Sequence, residues 1–561
     1  MNYFTKIFLL TLYLELLASS SFADPYTHEA QRYYSQKYLD RIKKHRITPV
    51  IVVTGWSENS LHSSSLKQAH KQTRAFAPAY LLAVRLYQIY GKVKLFYLST
   101  TSISEEYRRY LYRVGSGDFG INGFKGFENY ALRMIVFNKP RHRKTIPSGN
   151  LGSLQGAMDF PLAQDFFFSK RNQTLLKTLK AHMAAYHKSS RFEVVGLDAH
   201  SNSPVLNFIA EYLNIPLLGN KQLSPDVGSK SQSRRIYEAT RILHPKGSYF
   251  PGNSPDYLAE EIYDLLKAGA KKVILKIDRS SAGEGLEILD FSNDLAEGFV
   301  NFYDPLITIR LILQKIADLS SKFLDKLYSN GAIVEEYIDG ISTQSPAAML
   351  IIEDETKVEL LSLYFQQLGG DQGLSYQGSI GPLNNTNPKL VRGALAIGNT
   401  LAKTGIRGPI GIDFLSGTII DQQKPKTLNF AIENNIRHPS TMYPYMSIHH
   451  LLGAQSLKTK YYRISETLRI PIMINSKIRL KHQTEFYKWL SHQDFTFSQQ
   501  TEKGVLIHGE YSAIGKLAAI AVGNSPEEAA ELLEQADQEI RQRIRFWGCK
   551  YARENLIKAE F

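Results

Sequence analysis

The sequence predicts a mixed α/β (α+β) fold divided among about three domains, and three observations lead there. The chain is 561 residues long, more than one hydrophobic core organises. Hydrophobic residues make up 43% of it and charged residues 21%, the balance of a packed globular protein rather than a disordered or membrane-embedded one. From residue 48 onward, short apolar strands alternate with helical stretches. That is the pattern of strands laid side by side with helices on their faces.

The net charge is +14, with local runs at Lys139–Lys144 and Arg541–Arg545. A basic surplus suits polyanionic ligands such as nucleotides, and it equally attracts nucleic acid or anionic lipid. No zinc-finger spacing or RNA-binding signature accompanies it, so nucleic acid is not expected as a partner. The single cysteine, Cys549, excludes an internal disulfide and a cysteine metal cluster. It lies in RFWGCKYAR without a general-base motif and reads as a buried or idle thiol.

Residues 1–23 have the layout of a secretory signal: Lys6, the apolar run IFLLTLYLELLA, and Ser21-Phe22-Ala23 before Asp24. Glu15 interrupts the run, and an amphipathic N-terminal helix is the alternative. A signal implies a secreted or periplasmic protein, and without one the chain is cytoplasmic. No later segment reaches about 18 consecutive apolar residues, so no transmembrane segment is expected.

A first α/β domain is expected over 48–225. Pro49–Val53 reads as a buried strand running into the Thr54–Ser57 turn, Ala75–Tyr90 as a helix and Val93–Leu98 as a second strand. Gly115–Gly126 is rich in glycine without a phosphate-binding fingerprint and reads as loop. Phe192–Leu197, Pro204–Leu213 and Ile215–Gly219 read as strand, helix and short strand.

A second domain is expected over 226–455. Lys230 opens a helix, and Lys271–Ile277 is a strand running into Ser280-Ser281-Ala282-Gly283-Glu284-Gly285. Small residues let backbone N–H groups converge on an anion, although a plain strand-to-strand turn explains the same loop. Lys276 shares a strand face with Ile274 and can reach toward such an anion. After a helix over Leu311–Tyr328, Ala332–Gly340 is a strand breaking into a turn. Its edge could read an adenine through the Glu335 carbonyl and the Ile338 N–H, or it is simply a buried strand with two acids.

Two further strands carry acids. Gly408–Leu415 holds Asp413, and Thr427–Ser440 (TLNFAIENNIRHPS) places Glu433, Asn435 and Arg437 on one face. The intervening GTIIDQQKPKT reads as a hairpin connection that brings Asp413 beside Glu433. One or two carboxylates with phosphate oxygens are how proteins commonly hold Mg²⁺; taken singly, each strand could be an ordinary polar-faced edge.

Lys230, Lys276, SSAGEG, EEYI, GIDF and IENNIR occur in the order and approximate spacing of an ATP-grasp enzyme. The segments VGSKSQSRRIYEATRILHPKG, VILKIDRSSAGEGLEILDF and GVLIHGEYSAIGKLAAIAVGNSPEEAAELL resemble the pheganomycin-type peptide ligases. The resemblance is best over about 190–455. It implies an α/β pre-ATP-grasp domain, a two-lobed ATP-grasp fold and a small C-terminal α+β domain at 456–561. In that last part, Gly504–His508 and Leu517–Val522 read as strands. Ser525, Pro526 and Glu528 then read as the capped start of a helix.

By the same resemblance, Lys230 and Lys276 contact ATP phosphates under a lid of Ser280, Ser281, Gly283 and Gly285. Glu335 and Ile338 line the adenine, and Asp413, Glu433 and Asn435 hold Mg²⁺, with two ions expected and Mn²⁺ able to substitute. Arg437, together with Lys276, acts on the transferred group. The activity implied is ATP-dependent joining of a carboxylate to an amine, with amino-acid or peptide substrates. Two other readings stand beside it: phosphoryl transfer to a hydroxyl acceptor on the same fold, and an exported protein that binds nucleotide or polyanion without turnover.

Overall fold

The computed structural model describes residues 41, 43–54, 66–99, 103–117, 120–136, 170–198, 204–218, 228–280, 285–338, 343–369, 373, 375–383, 387–421, 424–456, 459–469, 485–509 and 516–559. The signal-like segment 1–23 and the basic run at 139–144 lie outside them.

The first unit is a parallel sheet built from β1 (Thr48–Thr54), helix α1 (Leu66–Tyr90), β2 (Lys94–Ser99), α2 (Glu105–Ser116), α3 (Ile121–Ala131), β3 (Leu132–Val136), α4 (Lys170–His187), β4 (Phe192–Asp198), α5 (Pro204–Leu213) and β5 (Leu217–Leu218). Strand order is β3-β2-β1-β4-β5, all parallel. Every residue of β1 is buried, as its unbroken apolar run requires of a strand covered on both faces. The glycine-rich stretch read as loop is a correction: residues 121–126 open α3. Burial of Phe124 and Phe127, one turn apart, outweighs the poor helix propensity of its glycines. Gly117, at φ 68°, ends α2 by donating its N–H to the Arg113 carbonyl.

The second unit is a small lobe. Helix α6 (Lys230–Thr240), whose Ile236 and Tyr237 pack in the core of the large lobe, leads into it; the lobe itself holds α7 (Pro255–Lys267), β6 (Lys272–Ile277), β7 (Leu286–Asp290), α8 (Pro305–Ala317), α9 (Ser321–Asn330) and β8 (Ala332–Glu336). Its three strands form an antiparallel sheet, β7-β6-β8, over a separate apolar core. The single helix expected over Leu311–Tyr328 is two. Ser320 adopts extended geometry and accepts from the Phe323 N–H, so a new helix is capped where one was expected to continue.

The large lobe comprises β9 (Thr343–Ile352), β10 (Val358–Gly369), β11 (Ser375–Gly381), α10 (Pro388–Lys403), β12 (Gly408–Asp421), β13 (Lys424–Asn435), α11 (Met442–Ser456), β14 (Tyr461–Arg469), β15 (Gly504–Ile507), β16 (Lys516–Gly523) and α12 (Pro526–Ala559). One eight-stranded sheet, β13-β12-β9-β10-β11-β14-β16-β15, runs through all of it. The boundary expected at 456 therefore does not interrupt the sheet, because β11 pairs directly with β14. Ser525 caps α12 by accepting from the Glu528 N–H, and Glu528 reaches back to the N–H of Asn524.

The first unit is tied to this sheet at two places. Tyr107 donates its hydroxyl to the Ile507 carbonyl at 3.3 Å, and the Ile507 N–H donates to Tyr110 at 2.9 Å. Arg85 on α1 donates to the carbonyls of His449 and His450 on α11, at 3.0 and 3.2 Å. Gly453, at φ 80°, bends α11 beside that guanidinium.

Burial, with Arg85 nearby, lowers His449 to about 4. Burial, His449 and Arg85 push His450 well below the ordinary histidine range. Both rings are neutral when folded and protonate near pH ~6.5 once unfolded. Their contribution is thus complete above pH ~6.5 and lost as pH falls from there toward about 4, by up to about 1.4 kcal/mol per pH unit for each ring. Thermal unfolding between about pH 7 and about pH 5 should show a falling midpoint, with a shallower fall in His450→Phe. An unchanged slope in the variant would show that this ring carries none of the dependence.

Candidate active site

The β12–β13 hairpin brings two acids together. Asp413 lies directly opposite Glu433, and Gly411 opposite Asn435. A register shift after Asp413 leaves Ile432 as an extra residue on β13, a bulge that turns the end of the strand. The Asn435 amide donates to Asp413 Oδ2 at 3.0 Å. Gln366, on β10 beyond the intervening β9, donates to Asp413 Oδ1 at 2.6 Å. Strand β13 ends at Asn435, so Arg437 sits on the bend beyond it rather than in alternation with Glu433. It nevertheless returns to the same place, donating to Asn435 Oδ1 at 2.7 Å.

Burial and the neighbouring Glu433 charge raise the Asp413 carboxyl to about 7, while Arg437, Asn435 and Gln366 offset them only in part. Two carboxylates held face to face with too little positive charge are the electrostatic complement of a cation. Among the described residues no group of three or more His, Cys, Asp or Glu side chains is arranged for a metal. The donors here are two carboxylates and an amide. That set fits a hard ion which keeps water and substrate phosphate as its other ligands.

A second set of charges centres on Glu335. Lys276 on β6 is 2.6 Å from Glu335 Oε2, and Arg234 on α6 is 3.1 Å from Glu335 Oε1. All three are buried, Glu335 to 1% exposure. Burial raises the Glu335 carboxyl, but Lys276 and Arg234 outweigh it and bring it below the ordinary carboxylate range. The sequence reading used Glu335 for its carbonyl; here its backbone pairs with Ile274 on β6 and its side chain serves as the counter-ion. Ile338 lies half-buried just past the end of β8.

Lys230 donates to the Ser280 carbonyl at 2.9 Å and stands 3.7 Å from Glu433 Oε1, bridging loop and acid. The start of α6 is fixed by Asp278, whose carbonyl and carboxylate accept from the N–H groups of Lys230 and Ser231. Gly285 re-enters β7 at φ 104°, where a Cβ would lie 2.8 Å from Ile277, so the loop closes only with glycine. Ser281 and Gly283 lie outside the described residues.

Helix α6 joins the two halves. The Asn434 N–H donates to Ser233 Oγ, and Tyr237 donates to Asn434 Oδ1 at 3.0 Å, while Arg234 on the same helix holds Glu335. Four residues here escaped sequence reading: Arg234, Gln366, Asp198 and His438. Arg234 stood within a quoted motif, but its partner is 101 positions away, beyond the reach of any local pattern. His438 Nε2 lies 3.2 Å from Asp198 Oδ1 at the end of β4, and its ring stacks on Tyr443.

No protein-family model and no curated protein matches the sequence. Solved structures with a similar course of the chain include the biotin carboxylase domain of the Hydrogenobacter thermophilus 2-oxoglutarate carboxylase, in complex with MgADP, ADP and bicarbonate. It is 10% identical at a TM-score of 0.45, covering 87% of this chain and 89% of that one. The Thermotoga maritima phosphoribosylamine–glycine ligase is 14% identical at 0.42, over 87% of this chain and 96% of that one. The N5-carboxyaminoimidazole synthase of Aspergillus clavatus, with ADP and 5-aminoimidazole ribonucleotide, is 9% identical at 0.44, over 88% and 99%. The likeness is weak, and no residue role is taken from it.

Proposed function

We propose that this protein is an ATP-dependent carboxylate–amine ligase acting on amino acids or peptides. The observation that carries the reading is the pairing of Asp413 with Glu433 beside the buried Lys230, which also holds the Ser280 carbonyl. An anion with bound Mg²⁺ satisfies both sides of that arrangement at once. Asp413, Glu433 and Asn435 are the residues that would hold Mg²⁺, which neutralises charge on phosphoryl oxygens when bound. Lys230 and Lys276 bind and orient the ATP phosphates, and Ile338 contributes its N–H to the adenine.

The chemistry is limited by repulsion between two anions. A carboxylate oxygen attacks the γ-phosphorus, the bond to the ADP oxygen breaks, and an acyl phosphate forms. An amine nitrogen then attacks the acyl carbon, phosphate leaves with the C–O bonding pair, and the amine proton is lost as the amide forms. Arg437, fixed by Asn435, stabilises charge that develops on the transferred group. A lid of Ser280, Ser281, Gly283 and Gly285 would exclude water from the acyl phosphate.

Lys276→Ala should lower affinity for a non-hydrolysable ATP analogue by about ten- to a hundredfold, the loss of one charge-assisted contact. Calorimetric titration with unchanged affinity would remove Lys276 from the phosphate site. Glu433→Gln keeps the side-chain shape but not its charge, and should weaken Mg²⁺-dependent nucleotide binding and turnover together. Arg437→Ala should spare binding and slow substrate-dependent ADP release by about 10²–10³-fold. Full activity in Glu433→Gln would displace the metal from this hairpin, and a protein that binds ATP without turnover of any amino-acid mixture would be no ligase.

A further inference from the structure

We propose that His438 is the base that takes the proton from the attacking amine, with Asp198 of the first domain as its positioning residue. The proposal rests on the ligase reading and concerns its second step. An amino group is largely protonated at neutral pH, with a pKa of about 8 for an α-amine, and an ammonium has no lone pair to offer. A ligase of amines therefore needs a proton acceptor near the transferred acyl group, and neither lysine nor Arg437 can serve as one when charged.

His438 follows Arg437 directly, and its carbonyl accepts from Arg437 Nη1 at 3.3 Å, which holds this stretch of backbone beside the group assigned to the reacting phosphoryl. Its Nε2 lies 3.2 Å from Asp198 Oδ1. Tyr443 of α11 stacks on the ring at 5.6 Å and 3° between planes. Both His438 and Asp198 are buried, at 5% and 4% exposure. The carboxylate at ion-pair distance from Nε2 and the flat ring on one face set the orientation of the imidazole. Nε2 faces Asp198, which leaves Nδ1 as the nitrogen assigned to the amine proton.

The charged and titratable groups around the ring are Asp198 from β4, Arg437 from its own loop and Tyr443 from α11. Burial and Asp198 raise the Tyr443 hydroxyl well above its ordinary range, so it stays neutral. Asp198 closes the first parallel sheet at the carboxyl end of β4, the end of such sheets where ligands collect. In the step itself, the ammonium gives one proton to Nδ1 and leaves imidazolium beside Asp198. The freed lone pair forms the C–N bond, the C–O bond to phosphate breaks, and the departing phosphate takes the second nitrogen proton.

The test uses the full chain with ATP, Mg²⁺ and the twenty amino acids as carboxylate donors, and two kinds of nucleophile. One is the amino groups of the same mixture; the other is hydroxylamine, largely unprotonated at neutral pH and needing no base. Peptides and hydroxamates are quantified by mass. His438→Gln should slow peptide formation by about 10²–10⁴-fold, at least tenfold more than it slows hydroxamate formation. Its deficit should shrink as pH rises through the pKa of the amine. Asp198→Asn should show the same nucleophile-dependent deficit in smaller degree, with a shifted acidic limb in its pH profile. Equal losses with both nucleophiles in the two variants would overturn the assignment and leave a packing role. Hydroxamate without peptide in the wild type would also overturn it, while keeping acyl activation. Neither product in the wild type would sink the ligase reading itself.

Discussion

A carboxylate with 1% exposure is stable in a protein interior only beside a cation, and Glu335 has two. The consequence exceeds the local pairing. Arg234, Glu335 and Lys276 together carry one surplus positive charge away from solvent, and Lys230, also buried, stands between them and Glu433. Beside Lys230, Asp413 and Glu433 face each other, and burial together with the Glu433 charge pushes Asp413 to about 7. The two lobes therefore face each other with opposite and incompletely satisfied fields. A phosphate chain carrying a divalent ion presents both complements in one molecule, and helix α6, bonded to both lobes, sets how far apart they stand.

How much of this was legible in the sequence follows from the range of each interaction. The hairpin was readable because strand alternation and turn composition are local, and the register does put Asp413 opposite Glu433. Lys230 was readable because it opens a helix, and Lys276 because it shares a strand face with Ile274 just ahead of the serine–glycine loop. Arg437 was placed on the right face for an incomplete reason: β13 stops at Asn435, and the side chain returns through its bond to the Asn435 amide. Gln366, Asp198 and His438 depend on strand order and on the meeting of separate units, which no local pattern encodes. The glycines of α3 misled because propensity is a weak prior against buried aromatic contacts. The boundary at 456 came from the resemblance and from the strands read in the tail, and strand pairing continues across it because β11 pairs with β14.

The large sheet also manages its edges with economy of parts. Strand β15 lies at one margin, and an exposed margin offers unpaired backbone groups to other chains. Here both polar backbone atoms of Ile507 are taken by tyrosine hydroxyls from α2. The first unit thus covers the last sheet strand, so residues from opposite ends of the described chain seal one surface.

That closure bears on mechanics. The small lobe has an apolar core of its own and joins the large sheet through α6 on one side and the approach to β9 on the other. It is an insertion, a guest tethered twice to one host. The host is braced into a ring by Tyr107, Tyr110 and Arg85. Lys276 and Glu335 belong to the guest and Asp413 and Glu433 to the frame, so the two halves of the charge pattern sit on separate pieces of the fold, joined through the contacts of α6.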